Sequence, residues 1–471
     1  MKKLSFLILV LFLAPSVFGE VILPKIIGNN MVLQSNARVR IWGQANRGEL
    51  VAVTIRDQIK KAKADRSGHW EVTLDPLMIT GKSEEMKISG SNVLELKNIL
   101  VGEVWVCSGQ SNMEFPLGKG VSWRTGVFDY EQEVAEAQYP ELRLFIVKNK
   151  KSEVPLTDCE GEWKVCTPES AKDFSAVGYY FGRSLLLNLR KPVGLIQSAV
   201  GGTHAELWTK MEVMTNQSLY KEVFEEYDLN LKKFDEPGSK VAKPSKPACL
   251  WNGMIVPLLP FTIKGVIWYQ GESNDGRAKA YRQVFNNLIN SWRKEWKQGA
   301  FPFYFVQIAA HRDKTPALRN AQALTWNQVK NTGMVVAIDA GDSVNIHPRN
   351  KTIIGERLAN WALAKDYGLK DRVYSGPVYK SSKKVGNSIQ LSFYHTEGGL
   401  VAKDGGLREF MIAGKDHHFY PAIATIHQDK ILVTSVQVPH PEFVRYAWSN
   451  YMHPNFYNGK GLPAAPFKTD K

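Results

Sequence analysis

Hydrophobic and polar positions alternate in two different rhythms along the chain. Residues 20–100 hold short strand-like runs such as VRIWGQ and HWEVTL, separated by Gly, Asn and Asp turns and without a convincing long helix. This period of two is typical of half-buried strands and predicts an N-terminal β-sandwich domain. Residues 369–471 are strand-like again, which predicts a C-terminal β-rich region.

Between these regions, residues 101–368 alternate apolar runs with amphipathic stretches. That order is typical of an α/β domain with helices flanking a parallel sheet. A charged, proline-containing stretch at about 205–262 interrupts the alternation and is interpreted as an insertion. The predicted strands are 101–107, 192–199, 263–269, 302–309 and 333–339, and the predicted helices are 168–190, 277–297, 315–331 and 351–366.

The first 19 residues, MKKLSFLILVLFLAPSVFG, place two lysines before a short apolar run and a small-residue segment. This arrangement is typical of a cleaved signal peptide. It predicts a protein that is exported to the periplasm or the extracellular space. No later segment has the length and apolar character of a membrane helix, so no stable membrane insertion is expected after cleavage.

Charge and cysteine content narrow the classes of partner. The formal net charge of +14 is spread thinly, with no basic stripe interleaved with aromatic residues, so nucleic-acid binding is not expected. In an exported protein, Cys159 and Cys166 could close a small hairpin disulfide. No CxxC, HxH or HExxH spacing suggests a metal site, and neither a metal nor another cofactor is expected.

Small polar residues follow every predicted strand of the α/β domain. Because the carboxyl ends of parallel strands meet at one edge of the sheet, where ligands bind, we expect these groups to converge. The segments are Gly109-Gln110-Ser111-Asn112, Gly201-Gly202-Thr203-His204, Gln270-Gly271-Glu272-Ser273-Asn274, Ala310-His311-Arg312 and the stretch from Asp339 to Pro348.

This set contains the groups that acyl transfer needs: a nucleophile, a base and donors to an oxyanion. Ser111 supplies a hydroxyl at a strand-to-helix turn, and His347 is the natural general base. Gly201 and Gly202 allow backbone N–H groups to approach a substrate oxygen, and Asn274 offers a side-chain amide donor. The G-x-S-x-G elbow of α/β-hydrolases is not matched, because Met113 stands where its second glycine would be.

Ser in GQSNM, Gly in the GG turn, Asn in GESN and His in IHP occur in an order that resembles the SGNH (GDSL-like) hydrolases. The longer strings GEVWVCSGQSNMEFPL, GGTHAELW, GVIWYQGESN and DAGDSVNIHPRNK look like those of sialate O-acetylesterases and their acetylxylan-esterase relatives. The resemblance implies metal-free hydrolysis of acetyl esters on sugars. It implies Ser111 as nucleophile, His347 as base, and Gly202 and Asn274 as oxyanion donors beside the Ser111 N–H.

The sequence does not determine which acid would orient His347. The wider superfamily often has Asp three residues before the histidine, but position 344 is Val and position 345 is Asn. Asp342 is the favoured candidate, with Glu272 close behind. Asp339 or a backbone carbonyl are the other possibilities. Three polar residues at the same edge are candidates for substrate binding: Gln110, Gln270 and again Glu272.

The sequence therefore predicts an exported serine esterase that removes acetyl groups from a carbohydrate, with O-acetylated sialic acid as the expected substrate. The nearest alternative is the same chemistry on acetylated xylan or another glycan. A non-catalytic carbohydrate-binding protein and a lipase-like esterase with an acyl-chain channel are the alternatives from other classes. His204 and His311, which also follow strands, are expected to be structural.

Overall fold

The computed structural model describes residues 20–215 and 217–470. The predicted signal peptide, residues 1–19, lies outside the described residues. Among the described helices, none combines the length and apolar character needed to cross a bilayer.

Short strands form the N-terminal region, and all of them pair antiparallel except β1, which pairs parallel with the strand that follows β6. In β3 every second residue is buried, and this face packs on a core that includes Trp70. β2 pairs with β5, whereas β3 pairs with β4 and β6 in a second sheet. The strands are β1 Val32–Gln34, β2 Val39–Gln44, β3 Leu50–Ile55, β4 Gln58–Lys63, β5 His69–Leu74 and β6 Glu84–Ser89.

One long strand, β7 (Val93–Gly109), joins this region to the rest of the molecule. Its first part alternates exposed and half-buried residues and pairs antiparallel with β6. Its last eleven residues, from Ile99 on, are all buried, as expected for a strand covered on both faces. The predicted strand 101–107 and the strand-like run before it are therefore one element that crosses the predicted boundary at residue 100.

The second half of β7 lies in the centre of a mostly parallel sheet, in the order β13-β12-β11-β7-β10-β8-β9. Only β9 runs antiparallel to its neighbour in this part of the sheet. The predicted α/β fold class is confirmed. The strands are β8 Tyr139–Ile146, β9 Trp163–Cys166, β10 Val193–Ala199, β11 Gly265–Tyr269, β12 Phe303–Val306 and β13 Thr332–Val335.

Helices flank this sheet close to where they are predicted. The predicted helix 168–190 is interrupted, because Ser175 ends the irregular link and caps the next helix by accepting the Gly178 N–H at 3.0 Å. The α-helices are α1 Ser111–Glu114, α2 Tyr130–Ala135, α3 Pro168–Lys172, α4 Ala176–Leu189, α5 Met211–Met214, α6 Lys221–Asp235, α7 Ala278–Trp296, α8 Pro316–Gln328 and α9 Thr352–Lys365. The 3₁₀ turns are Ala205–Trp208, Ser218–Tyr220, Val256–Leu258, Glu272–Arg277 and Ile338–Ala340, and Trp251–Ile255 is a π-helical turn.

The C-terminal region consists of antiparallel strands in small sheets. Phe393, Phe410, Tyr446, Phe456 and Phe467 pack together in its core. The strands are β14 Val378–Val385, β15 Ser388–Tyr394, β16 Leu400–Ala402, β17 Phe410–Ala413, β18 Tyr420–Pro421, β19 Ile423–His427, β20 Lys430–Thr434, β21 Phe443–Tyr446, β22 Phe456–Asn458 and β23 Phe467–Lys468.

The predicted disulfide between Cys159 and Cys166 is not formed. Both cysteines are buried free thiols, as are Cys107 and Cys249. Cys159 packs in the core cluster that also holds the N-terminal strands, whereas Cys166 packs in the separate cluster around α4. The short spacing in sequence therefore does not bring the two sulfur atoms to the same side of the sheet.

Candidate active site

Ser111 is the first residue of α1, directly beyond the carboxyl end of β7. The turn is possible because Gly109 has φ of +139°, and a Cβ there would lie 2.1 Å from the Tyr269 carbonyl oxygen of β11. The first N–H groups of a helix have no partner within the helix, so the Ser111 N–H lies among donors available to an anion. Ser111 is 8% exposed, at the base of a cleft.

His347 meets Ser111 as the sequence predicts. Its Nε2 atom lies 2.9 Å from Ser111 Oγ. The indole of Trp123 stacks on the imidazole, with ring centroids 4.6 Å apart. Burial, and then the electrostatic effects of Lys351 and His311, lower the pKa of His347 to about 4. The imidazole is therefore neutral at physiological pH and can accept a proton from Ser111.

The Gly201–Gly202 turn follows β10 and faces Ser111. Gly202 has φ of +71°, a conformation that favours glycine, and its N–H has no protein partner in the described residues. Gly201 donates its N–H to Glu114 Oε2 at 2.6 Å, and Glu114 also pairs with Arg124. Glu114 thus fixes the turn, a role not predicted from the sequence although its position one helical turn after the serine was a signal.

Asn274 lies in the 3₁₀ turn after β11, and three hydrogen bonds fix its amide. Its Oδ1 accepts the Ala205 N–H at 2.9 Å and the Gln270 Nε2–H at 2.7 Å. Its Nδ2 donates to Glu206 Oε2 at 2.8 Å. An amide nitrogen carries two N–H groups, so one donor is left after the bond to Glu206.

The structure corrects the prediction for Gln270 as a substrate-binding residue. Its side chain is fully buried, donates to Asn274 and to the Thr203 carbonyl, and accepts from Tyr281. It therefore supports the Asn274 amide from behind. Gln110 does line the cleft, and its Oε1 accepts the Ser273 N–H at 3.3 Å, which connects the turns after β7 and β11.

None of the predicted orienting acids hydrogen bonds to His347 in the described part of the chain. Asp342 Oδ1 accepts the N–H groups of Val344 at 2.8 Å and Asn345 at 2.9 Å, and these bonds lower the pKa of its carboxyl. Asn345 Oδ1 in turn accepts the His347 N–H at 2.9 Å. Asp342 is thus placed to shape the backbone of the His347 loop, and the assignment of an orienting carboxylate is revised accordingly.

The two other acids are engaged elsewhere. Asp339 forms a bidentate pair with Arg357, with both distances 2.7 Å. Glu272 lines the cleft, but its Oε1 accepts from Asn112 Nδ2 at 2.6 Å, and burial raises the pKa of its carboxyl.

The cleft over Ser111 has a volume of about 520 Å³, and most of the residues that line it carry polar or charged side chains. A second cleft of about 300 Å³ adjoins it, and both share Val200, Gly201 and Gly202. The second cleft is formed by the predicted insertion, including Tyr227 and Asn230 of α6. His204 also lies here, and burial lowers its pKa. No cluster of three His, Cys, Asp or Glu side chains suited to a metal occurs in residues 20–215 and 217–470.

The family model described as "Carbohydrate esterase, sialic acid-specific acetylesterase" matches residues 101–364, which is more than half of the chain. The chain belongs to this family. Sialic acid-specific acetylesterases are carbohydrate esterases, so the protein is a carboxylic ester hydrolase that acts on O-acetyl groups of carbohydrate. The alternative of a non-catalytic carbohydrate-binding protein is therefore rejected.

Similar proteins support the assignment to the sialic acid-specific acetylesterase family over nearly the whole chain. The human sialate O-acetylesterase is 31% identical across 94% of this chain and 91% of its own length. The mouse sialate O-acetylesterase is 30% identical across 94% and 93%, respectively. A crystal structure of a carbohydrate acetylesterase from Xanthomonas citri superposes with a TM-score of 0.86 at 34% identity, covering 96% of this chain and all of that one.

Proposed function

We propose that the protein is a sialate O-acetylesterase that works through a Ser111–His347 dyad. The observation that carries the mechanism is the 2.9 Å separation between His347 Nε2 and Ser111 Oγ. Ser111 Oγ attacks the acetyl carbonyl carbon while His347 takes the hydroxyl proton. The negative charge that develops on the carbonyl oxygen is stabilised by the N–H groups of Ser111 and Gly202 and by the Asn274 amide.

Collapse of the tetrahedral intermediate breaks the bond to the sugar oxygen, and His347 gives its proton to that oxygen. Water then attacks the acetyl-Ser111 ester with His347 again as base, and acetate leaves as Ser111 regains its proton. No carboxylate is needed to hold the imidazole in this scheme. The Trp123 ring and the backbone bond from His347 to Asn345 orient it instead.

Sialic acid is proposed as the sugar because the matching family is described as sialic acid-specific and the similar human protein is a sialate O-acetylesterase. The residue types around the cleft support a sugar over a fatty acyl chain, since most lining side chains can hydrogen bond and only Trp123, Val200 and Ile346 contribute large apolar groups. We place the sugar across the Gly201–Gly202 turn, in the second cleft, because this turn lines both clefts.

The test is acetate release from O-acetylated sialic acid and from acetylated xylan, measured side by side with EDTA present. We expect Ser111→Ala to lower kcat by roughly 10⁴- to 10⁶-fold while the circular dichroism spectrum is unchanged. Faster acetate release from acetylated xylan would be consistent with the mechanism but would show that xylan is the preferred substrate. Substantial turnover by Ser111→Ala would contradict the mechanism.

A cleft-filling variant tests where the sugar lies. Asn230→Trp should raise KM for the preferred acetylated sugar and leave turnover of p-nitrophenyl acetate, which lacks a sugar, unchanged. Equal effects on both substrates would contradict the placement in the second cleft.

A further inference from the structure

Lys351 is a fully buried lysine four residues after the catalytic histidine, just before α9. Burying an ammonium group is costly unless it is well partnered, so its position calls for a role. Its Nζ donates to Asn112 Oδ1. It also lies over the rings of Phe115 and Tyr269, 4.8 Å and 5.4 Å from their centroids. The cation is therefore held directly behind the turn that carries Ser111.

Asn112 connects this lysine to both other catalytic segments. Its Nδ2 donates to Glu272 Oε1 at 2.6 Å and to the Ile346 carbonyl oxygen at 3.0 Å. Asn112 directly follows Ser111, and Ile346 directly precedes His347. One side-chain amide thus ties the nucleophile turn, the base loop and the loop after β11 together, and Lys351 fixes the orientation of that amide.

Charge at this junction is incompletely balanced. Glu272 Oε2 is buried and has no hydrogen-bond partner in the described residues, while Oε1 is taken by Asn112. Burial raises the pKa of the Glu272 carboxyl and lowers the pKa of Lys351 to about 7. Below that pH the lysine carries its charge, and this includes the range in which His347 titrates.

We propose that Lys351 is a positioning residue of this active site: through Asn112 it holds the Ser111 turn and the His347 loop in one arrangement, and it places a positive charge behind that pair. The inference rests on the proposed Ser111–His347 mechanism and adds a residue that does not contact the reacting atoms.

The charge acts on His347 because a second cation nearby disfavours the imidazolium form. Lys351 and His311 both lower the pKa of His347, with burial as the largest cause. The base is thereby kept unprotonated in mildly acidic solution. The other charged groups of the cleft are Glu114, Arg124, Glu272 and Lys314.

The proposal is tested with Lys351→Met and Lys351→Gln, and with Lys365→Met as the matched control. Lys365 is an exposed lysine at the other end of α9, over the ring of Tyr374. The measurements are the pH dependence of kcat/KM for p-nitrophenyl acetate and the NMR titration of His347 in protein with labelled histidine. The His347 signal is assigned by its loss in His347→Gln.

We expect both Lys351 variants to move the His347 titration and the acidic limb of kcat/KM upward by about one pH unit. The plateau kcat should fall by about 10- to 100-fold in Lys351→Met, because the Asn112 amide is released. Lys351→Gln should recover part of this loss, since it keeps an N–H donor, but not the shift in pH dependence. Lys365→Met should match the wild type in both measurements.

An unchanged His347 titration in either folded variant would overturn the proposal. So would a wild-type His347 that titrates at 6.5 or above, a result that needs no variant and stands even if the substituted proteins do not fold. These outcomes are distinct from failure of the proposed mechanism, which would appear as retained turnover in Ser111→Ala.

Discussion

The two sides of Ser111 are stabilised by different means. On the side of the proposed oxyanion donors, Asn274 accepts hydrogen bonds from Ala205 and Gln270 and donates one to Glu206, and the Gly201–Gly202 turn is fixed by a carboxylate. On the base side, the His347 ring has one side-chain hydrogen bond within the described residues, to Ser111 itself. The position of the His347 ring depends otherwise on the stacked indole of Trp123 and on the conformation of the His347 loop.

This difference follows from what each group must do. An oxyanion donor has to be in place before charge develops, and a rigid network removes the cost of reorganising it. The base changes its protonation state twice in each cycle, so a fixed carboxylate partner would hold it toward the charged form. In this site, burial and then the electrostatic effects of Lys351 and His311 favour the neutral form.

Among variants that separate the two sides of Ser111, the largest effect is expected on the hydrogen-bonded side. Asn274→Ala removes a proposed oxyanion donor and should lower kcat by about 10²- to 10³-fold with little change in KM. Steady-state kinetics with p-nitrophenyl acetate measure this directly. Gln270→Glu is the companion variant, because it replaces the amide donor that orients Asn274 Oδ1 and should give a smaller loss. A loss that appears only in KM would show that Asn274 binds the ground state instead.

The properties of the His347 side should determine the pH dependence of kcat/KM. Activity requires neutral His347, so kcat/KM should stay level from pH 7 to 5 and decline only as the pH falls through about 4. Between 6.5 and 4 the unfolded chain binds more protons at this residue than the folded chain, so the free energy of unfolding decreases as pH is lowered there. Rates are therefore measured in short assays after a pH jump. If kcat/KM already declined near pH 6.5, the pKa of His347 would not be lowered and the proposed difference between the two sides would be wrong.

Removing the stacked indole should produce a moderate effect. Trp123→Ala should lower kcat by about 3- to 10-fold, because the His347 ring loses its packing partner. Trp123→Phe keeps an aromatic ring in this position and should restore most of the activity. If both variants behave as the wild type, stacking does not hold the base.

The smallest effect is expected from the acidic residues. Asp342→Asn and Glu272→Gln each keep an acceptor oxygen for their observed partners, so each should change kcat by less than about 3-fold. Loss of a true orienting carboxylate costs about 10⁴-fold. A loss of kcat of that size in either variant would show that the site is a triad and that the substituted residue is its third member.

The parts of this molecule that depend on local pattern could be predicted from the sequence. Strand ends after apolar runs located Ser111, Asn274 and His347, because parallel strands bring their carboxyl ends together. Two of the misassignments arose where the outcome depends on packing between distant segments. Cys159 and Cys166 lie seven positions apart but pack in separate cores, and Gln270 lies four positions before Asn274 yet its side chain is fully buried.

The residues that sequence reasoning missed act through neighbours that no local pattern reveals. Glu114 reaches Gly201 only because β7 and β10 are adjacent and parallel. Trp123 reaches His347 through a loop with no periodic pattern, and Lys351 looks like an ordinary helix-flanking lysine until its burial is known. Long-range contacts decided each role.

The long strand β7 has a consequence for how this enzyme can be divided. It pairs with N-terminal strands over its first half and with catalytic strands over its second, and it ends two residues before Ser111. A gene fragment starting at residue 101 would begin inside this strand and leave the edge that β1 occupies without its partner. The β-rich N-terminal region and the catalytic sheet are therefore joined through one continuous strand, and we expect a fragment that begins at residue 101 to be less stable than a chain that includes both regions.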